Sequence, residues 1–258
     1  MAKFDGKYFR GPIGAVIFKK VNNKQIVCAR PAPGTTKQSE GSKKSAATFG
    51  MVSSLSAALK GGFAGELMDL QDTTMYSRLV KQVTPILVAA RDPQTGAFYF
   101  EQDSFNSLTD FEYNKNSPVM KWLGTKPDMV YEEGKLSIVF PNIDLRRLQF
   151  AKGSTNCQMT VAITLIRLED GMRTRQPLTQ ELRFYNDGVD LLSNKRFEFE
   201  VPDGCLCVAS LFLKYYGNRL LRNTKKVSPA YICGTTITAG RYVEKQSYKW
   251  QELRVKFK

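Results

Sequence analysis

The second half of the chain consists of short segments in which apolar and polar residues alternate. Alternation sends successive side chains to opposite faces, as a strand does and a helix does not. Turn residues such as Asp170-Gly171 and Pro202-Asp203-Gly204 separate neighbouring segments. We therefore predict a mainly β protein with an immunoglobulin-like or related β-sandwich. The strand-like runs are residues 135–140, 158–168, 180–186, 196–201, 205–217, 228–237 and 250–257.

A β-hairpin is predicted near the start of the chain, over residues 11–31. Its two runs are strand-favouring, and Asn22-Asn23 supplies the turn because asparagine tolerates positive φ. We expect Gly11-Pro12 and Gly14 to interrupt the chain before this hairpin. Residues 35–48 are rich in Lys, Ser and Thr and are predicted to form a flexible polar arm.

Two short helices are predicted after the arm. The first has apolar residues at three- and four-residue intervals from Phe49 and ends at Gly61-Gly62, with Ser39 or Ser42 as its N-cap. The second runs from about residue 65 to residue 83, where Pro85 closes it.

From residue 86 the pattern changes to period two. Residues 86–90 and 97–102 flank the turn sequence D-P-Q-T-G and predict a second hairpin. We divide the chain into residues 1–62 (basic hairpin, polar arm and short helix), 63–118 (helix plus β-hairpin) and 119–258 (β-sandwich domain).

The first 60 residues contain 11 lysines and arginines but only Asp5 and Glu40 as acids, whereas the rest of the chain is nearly balanced. This asymmetry indicates a basic module that meets an acidic partner. The candidate residues for contact with a partner or a polyanion are Lys19, Lys20, Lys24, Arg30, Lys37, Lys43 and Lys44.

The chain has no histidine. This removes Ser-His-Asp and Cys-His catalysis, and it removes His-based metal sites. The five cysteines are odd in number and widely spread, and Cys205-x-Cys207 reads as two small core residues on one face of a strand. We predict a protein that is not an enzyme, with no catalytic residues, metal or cofactor.

The N-terminal residues show no apolar segment before a cleavage site, and no run of about 18 uncharged apolar residues occurs. We therefore expect a protein made in the cytoplasm with no membrane span. Its final location is left open, with a phage-like or surface particle as the hypothesis.

Two segments resemble a known layout. The pattern F-x-G-P-I-G-x-x-x-F-K-K-x-x-x-K-Q-I-V-x-x-R-P (9–31), followed by A-x-F-G-x-V (47–52), resembles an uncharacterised family of Bacteroidota proteins. The run G-x-L-x-x-x-F (134–140) is similar to the strand that opens that family's immunoglobulin-like part. A similar basic hairpin with a polar tail occurs in small phage-like structural proteins. The family carries no established activity, so the resemblance implies a fold and no site residues.

Two functions of different classes follow from the sequence. The first is a non-enzymatic structural or interaction protein that self-assembles, or docks into a larger particle, through its basic N-terminal arm. Its partners would be copies of the same chain or other protein subunits. The alternative is a nucleic-acid-binding protein that uses the basic hairpin. Carbohydrate binding by the sandwich loops is a third reading, based on scattered aromatic residues.

Overall fold

A computed structural model describes residues 2–32, 39–68, 70–141, 143–144, 148–185, 191–192, 195–217, 229–243 and 248–257. Within them the protein is mainly β, as predicted, and the strands of each pair are antiparallel. The strands are β1 Lys3–Phe4, β2 Phe9–Ile13, β3 Val16–Val21, β4 Lys24–Ala29, β5 Asp128–Glu132, β6 Lys135–Val139, β7 Ile143–Asp144, β8 Asn156–Arg167, β9 Met172–Thr174, β10 Leu178–Tyr185, β11 Leu191–Leu192, β12 Arg196–Glu200, β13 Leu206–Tyr216, β14 Ala230–Ile237 and β15 Trp250–Glu252. The helices are α1 Glu40–Gly62, α2 Ala64–Leu67, α3 Met75–Ala90 and α4 Val119–Leu123, with a 3₁₀ turn, η1, at Asn106–Leu108.

The chain divides into two compact units, Met1–Ala47 and Thr48–Lys258. The first unit contains a four-stranded sheet in the order β1-β2-β3-β4 and the first turns of α1. The second unit contains the remaining elements. The three-part division at residues 62 and 118 stays a prediction.

A large sheet forms the centre of the second unit, in the order β14-β13-β8-β9-β15, with β10 also paired to β8. Strands β8 and β13 pair from Leu206↔Ile166 to Tyr216↔Asn156. Nearly every residue of these two strands is buried, because other elements cover both faces of the sheet.

Each face of this sheet has its own hydrophobic core. On one face, Met159 and Leu211 pack with Ile138 of β6 and with β12, so the three-stranded sheet β12-β6-β5 covers that side. On the other face, Ile166 and Val208 pack with side chains of α1 and α3. The second unit is therefore layered, with helices on one side of the large sheet and a small sheet on the other.

The prediction of a flexible arm up to residue 48 is wrong from Glu40 onward. Helix α1 begins there, and Ser39 is its N-cap, with its Oγ accepting a hydrogen bond from the Ser42 N–H at 3.2 Å. Lys43 lies 2.7 Å from the Glu40 carboxylate one turn away. Cap, ion pair and alanine content favour a helix in a segment that its polarity had marked as coil.

The second predicted hairpin is also wrong, because residues 86–90 belong to α3. This helix passes through Pro85 and ends at Ala90. Its buried residues are Met75, Leu79, Val83, Ile86 and Leu87, which recur at three- and four-residue intervals. Burial of this continuous apolar stripe outweighs the hydrogen bond that the proline removes. The segment near residue 65 forms the separate short helix α2.

The N-terminal hairpin is confirmed and is part of a larger sheet. Asn22 and Asn23 have φ of 48° and 59°, as a tight turn between β3 and β4 requires. The break expected at Gly11-Pro12 is wrong, since β2 runs through both residues. Strand β1 pairs only with Phe9 and Arg10 of β2. Pro12 lies beyond the end of this pairing, so its missing N–H costs no hydrogen bond to β1.

Candidate functional site

The register of the N-terminal sheet collects apolar side chains on one face. Directly opposite residues of antiparallel strands project to the same side. Phe4 lies opposite Phe9, Phe18 opposite Val27, and Ile13 opposite Val16. Phe9, Gly11 and Ile13 are two residues apart and therefore lie on one side of β2. Because Gly11 lies opposite Phe18, all three pairs lie on that side. We call these six residues the apolar face.

The apolar face is open to solvent. Phe4 is 59% exposed, Val27 53%, Ile13 48% and Phe9 43%. The rings form a row, with centroid distances of 4.8 Å from Phe4 to Phe9 and 5.6 Å from Phe9 to Phe18. Among residues 2–32 not one is buried. A contiguous exposed apolar surface of this kind is typical of an interaction site.

The opposite side of the same sheet carries basic residues among apolar ones such as Val21 and Ile26. Lys3 lies opposite Arg10. Lys24 lies opposite Val21, and Val21 is two residues after Lys19 in β3, so Lys19 and Lys24 lie on the same side. Alternation along β2 and β3 places these side chains on the side away from Phe9 and Phe18. We call Lys3, Arg10, Lys19 and Lys24 the basic face. The sheet thus places these four residues on the side away from the row of phenylalanines, whereas Lys20 lies on the same side as Phe18.

Of the hairpin residues that the sequence singled out, Lys19 and Lys24 lie together on the basic face. Lys20 points to the other side, because it follows Lys19 directly in the strand. Its Nζ lies 4.5 Å from the centre of the Tyr8 ring, a cation–π contact.

The remaining predicted residues lie on other elements. Arg30 follows β4, and its backbone N–H donates to the Ala15 carbonyl at 2.7 Å. Lys43 and Lys44 are exposed in the early turns of α1, where Lys43 pairs with Glu40. Lys37 lies outside the described residues.

The sequence reading missed the first hairpin of this sheet, in which residues 5–8 join β1 to β2. The Asp5 carboxylate accepts hydrogen bonds from the N–H groups of Tyr8 at 2.8 Å and Lys7 at 3.2 Å. These bonds, with Arg10 nearby, lower the pKa of Asp5. The Asp-Gly pair between K-F and Y-F-R was the available signal, and it would have added Lys3, Arg10, Phe4 and Phe9 to the site.

Cys205 and Cys207 lie fully buried in the core between the two sheets of the second unit. Burial raises the pKa of Cys205 to about 12, and it raises the pKa of Cys207 as well. Both thiols therefore stay protonated at neutral pH, when the reactive and metal-binding form is the thiolate. Among the described residues, no three side chains of His, Cys, Asp or Glu are grouped to hold a metal ion.

In the part of the chain that the structure describes, no helix has the length and apolar content needed to cross a membrane. No family model matches the chain, and no curated protein matches it in sequence.

Proposed function

We propose that this protein is a non-enzymatic structural protein that joins a larger assembly by docking the apolar face of its N-terminal sheet onto protein neighbours. Copies of the same chain are the first candidates for these neighbours. The observation that carries the proposal is the exposure of Phe4, Phe9, Ile13 and Val27 on one side of a sheet with no buried residue of its own.

The energetics of residues 2–32 favour a partner. Ordering the backbone costs about 1–2 kcal/mol per residue. Burial of a large apolar side chain returns about 1.5–3 kcal/mol, but every apolar side chain of this segment stays partly exposed. A neighbour that covered the apolar face would supply the missing burial.

The basic face adds a second requirement. Lys3, Lys19 and Lys24 are exposed on the side away from the apolar face, and Arg10 lies 3.2 Å from Asp5. Surface charge of one sign steers association toward surfaces of the other sign. A phage-like or surface particle with acidic inner surfaces would satisfy both sides of the sheet, and the resemblance to phage-like structural proteins is part of this proposal.

Light scattering of the purified full chain tests the proposal. We expect a mass above that of the monomer, and we expect Phe4→Ser/Phe9→Ser/Val27→Thr to return it to the monomer. The matched control replaces three similarly exposed apolar residues of the second unit, Val88, Tyr99 and Met120, with serine. A monomeric wild-type chain, or equal masses for both triple variants, would refute docking between copies of this chain.

The alternative function is nucleic-acid binding, and the basic face favours it. Lys and Arg side chains bind phosphates by releasing counterions, so the affinity falls steeply as salt rises. The aromatic side chains on which nucleic-acid bases stack normally lie beside such charges. Here Phe4, Phe9 and Phe18 lie on the side away from Lys19 and Lys24 and share their own side with Lys20, which makes this the second candidate.

A gel shift at two salt concentrations separates the two functions. Nucleic-acid binding predicts a shift at low salt that Lys19→Gln/Lys24→Gln weakens, together with a particle mass that falls after nuclease treatment. Docking predicts that nuclease leaves the mass unchanged.

The immunoglobulin-like identity of the second unit belongs to the same proposal. Two antiparallel sheets that share one core, formed by β8 and β13 on one side and β6 and β12 on the other, support a sandwich. The helices on the outer face of the large sheet are an addition to the immunoglobulin pattern. An experimental structure with a Greek-key strand order would support the assignment.

A further inference from the structure

A polar cleft of about 720 Å³ opens in the second unit beside the edge strand β14. The segment 102–110 runs along that edge and is fixed at two points. The Ile237 N–H donates to the Gln102 carbonyl at 3.0 Å, and the Asp110 N–H donates to the Ile232 carbonyl at 2.9 Å. The cleft lies between these two bonds, with β5 as its other wall. Its volume is within the range of small-ligand sites.

One buried group in this cleft lacks a partner. Thr235 lines the cleft and is 3% exposed, and its Oγ1 has no hydrogen-bond partner among the described residues. A buried hydroxyl without a partner costs about 1–3 kcal/mol. Because this oxygen has almost no exposed surface, a ligand hydroxyl would remove that cost only after the Thr235 side chain turned toward the cleft.

The charges of the cleft select the ligand class. Two carboxylates, Asp103 and Asp128, line it, and no lysine or arginine is found among its described lining residues. Lys126, next to the lining residue Pro127, pairs with Asp110 at 2.7 Å. An anionic ligand such as a phosphate would meet repulsion there, whereas hydroxyl groups would find acceptors.

The other lining groups suit a sugar. Asn106 offers an amide donor and acceptor on η1, and Thr236 offers a hydroxyl on the opposite side of β14 from Thr235. Tyr131 contributes an aromatic side chain. Carboxylates and amides pair with neighbouring hydroxyls of one sugar ring, and an aromatic ring packs against its C–H groups.

We propose that this cleft binds a neutral oligosaccharide. Asp103, Asp128 and Thr235 accept hydrogen bonds from its hydroxyls, Asn106 donates and accepts, and Tyr131 forms the apolar contact. The cleft lies wholly in the second unit, so this binding is independent of the docking proposed for the N-terminal sheet.

An array of neutral oligosaccharides, probed with the labelled full chain, tests the proposal. The best binder is then titrated by calorimetry against three variants. We expect Asp128→Ala and Asn106→Ala each to weaken binding at least tenfold, because each removes a polar contact. Glu132→Ala, at the other end of β5 and outside the cleft, is the matched control and should change the affinity less than twofold.

Three results would overturn the proposal. The first is no binding to any saccharide of the array, and the second is equal affinity for wild type and both cleft variants. The third is a calorimetric binding heat with calcium chloride or spermidine and none with the saccharides. That result would mean that the two carboxylates bind a cation. Asp128 and Asn106 are both exposed, so their alanine variants should fold, and a thermal melt of each verifies this.

Discussion

Single residues decide how closely α1 approaches the large sheet. Gly62, the last residue of α1, faces Thr164 of β8, and a Cβ at this position would lie 2.8 Å from the Thr164 Cβ and 2.9 Å from its Cγ2. Both residues are buried and the threonine belongs to a central strand, so neither can move away freely.

We expect Gly62→Ala to lower the free energy of unfolding by about 1–3 kcal/mol through this overlap. Gly50→Ala is the control in the same helix, because a Cβ there meets nothing within 4 Å. That substitution should stabilise the protein by about 0.5–1 kcal/mol, since alanine favours the helix. Urea unfolding of both variants measures the difference, and changes of the same sign would contradict the close packing at Gly62.

The carboxyl group of Glu112 makes stability depend on pH. Burial, assisted by Asp110, raises its pKa to about 7. Its Oε1 accepts the Val119 N–H at 3.0 Å, while Oε2 has no hydrogen-bond partner in the part of the chain that the structure describes. The folded protein therefore holds a proton here that the unfolded chain has released above about pH 4.5. The stabilisation is complete below that pH and is lost as the pH rises through about 7.

Glu112→Gln should remove this dependence, because glutamine keeps the acceptor for Val119 and cannot ionise. Above pH 7 we expect the variant to be more stable than wild type by about 1–3 kcal/mol, and near pH 4 we expect the two to be equal. Guanidinium unfolding across that range is the measurement. Exposed Glu132→Gln controls for the loss of one carboxyl, and a pH profile for Glu112→Gln parallel to that of wild type would disprove the assignment.

At the scale of elements, α3 contains a proline that its packing tolerates. Pro85 is exposed on the outer side of the helix, between the buried residues Val83 and Ile86. It cannot donate to the Lys81 carbonyl. We expect Pro85→Ala to stabilise the protein by about 1–2 kcal/mol, which is the regained helix energy less the greater freedom of the unfolded chain.

Pro93→Ala is the control for that freedom. Pro93 lies in the turn that follows α3, where proline costs no helical hydrogen bond, so its replacement should destabilise by about 0.4–1 kcal/mol. The urea midpoints of the two variants should therefore move in opposite directions. A lower midpoint for Pro85→Ala would mean that α3 needs its proline.

The elements predicted correctly are those in which the sequence pattern and the turn residues match the side chains that the structure buries. Strand β13 and the Asn22-Asn23 turn are examples, since pattern, turn chemistry and structure coincide. Residues 86–90 were misread because a short apolar run fits a strand or a buried helix equally well. The choice between strand and helix depends on the residues that pack against this run, and those residues are distant in sequence.

For the candidate site, composition located the basic segment but could not divide its charges between faces. Lys19 and Lys20 are neighbours in sequence and lie on opposite sides of the sheet. Alternation along β3 divides them, but only the register with β2, which was predicted as a break in the chain, shows which of the two lies on the side of Phe9. The aromatic row of Phe4, Phe9 and Phe18 was missed for the same reason, because its members are brought together only by strand pairing.

At the scale of the whole molecule, the two units differ in where their apolar residues lie. The second unit buries both faces of its large sheet, which makes it self-sufficient. Inside the first unit, residues 2–32 form a sheet whose two faces both remain accessible. A small sheet needs a hydrophobic face or a helix packed against it for independent stability, and this one buries none of its own residues.

We therefore expect the two units to behave differently when they are produced separately. A fragment of residues 39–258, which keeps the Ser39 cap of α1, should unfold cooperatively within a few degrees of the full chain, because both hydrophobic cores remain intact. A peptide of residues 1–47 should show the circular dichroism of an unfolded chain at low concentration, and gain strand signal only when it associates. Thermal melts and a concentration series measure both. A peptide that is fully folded as a monomer would show that the sheet needs no neighbour, and would remove the physical basis for docking through its apolar face.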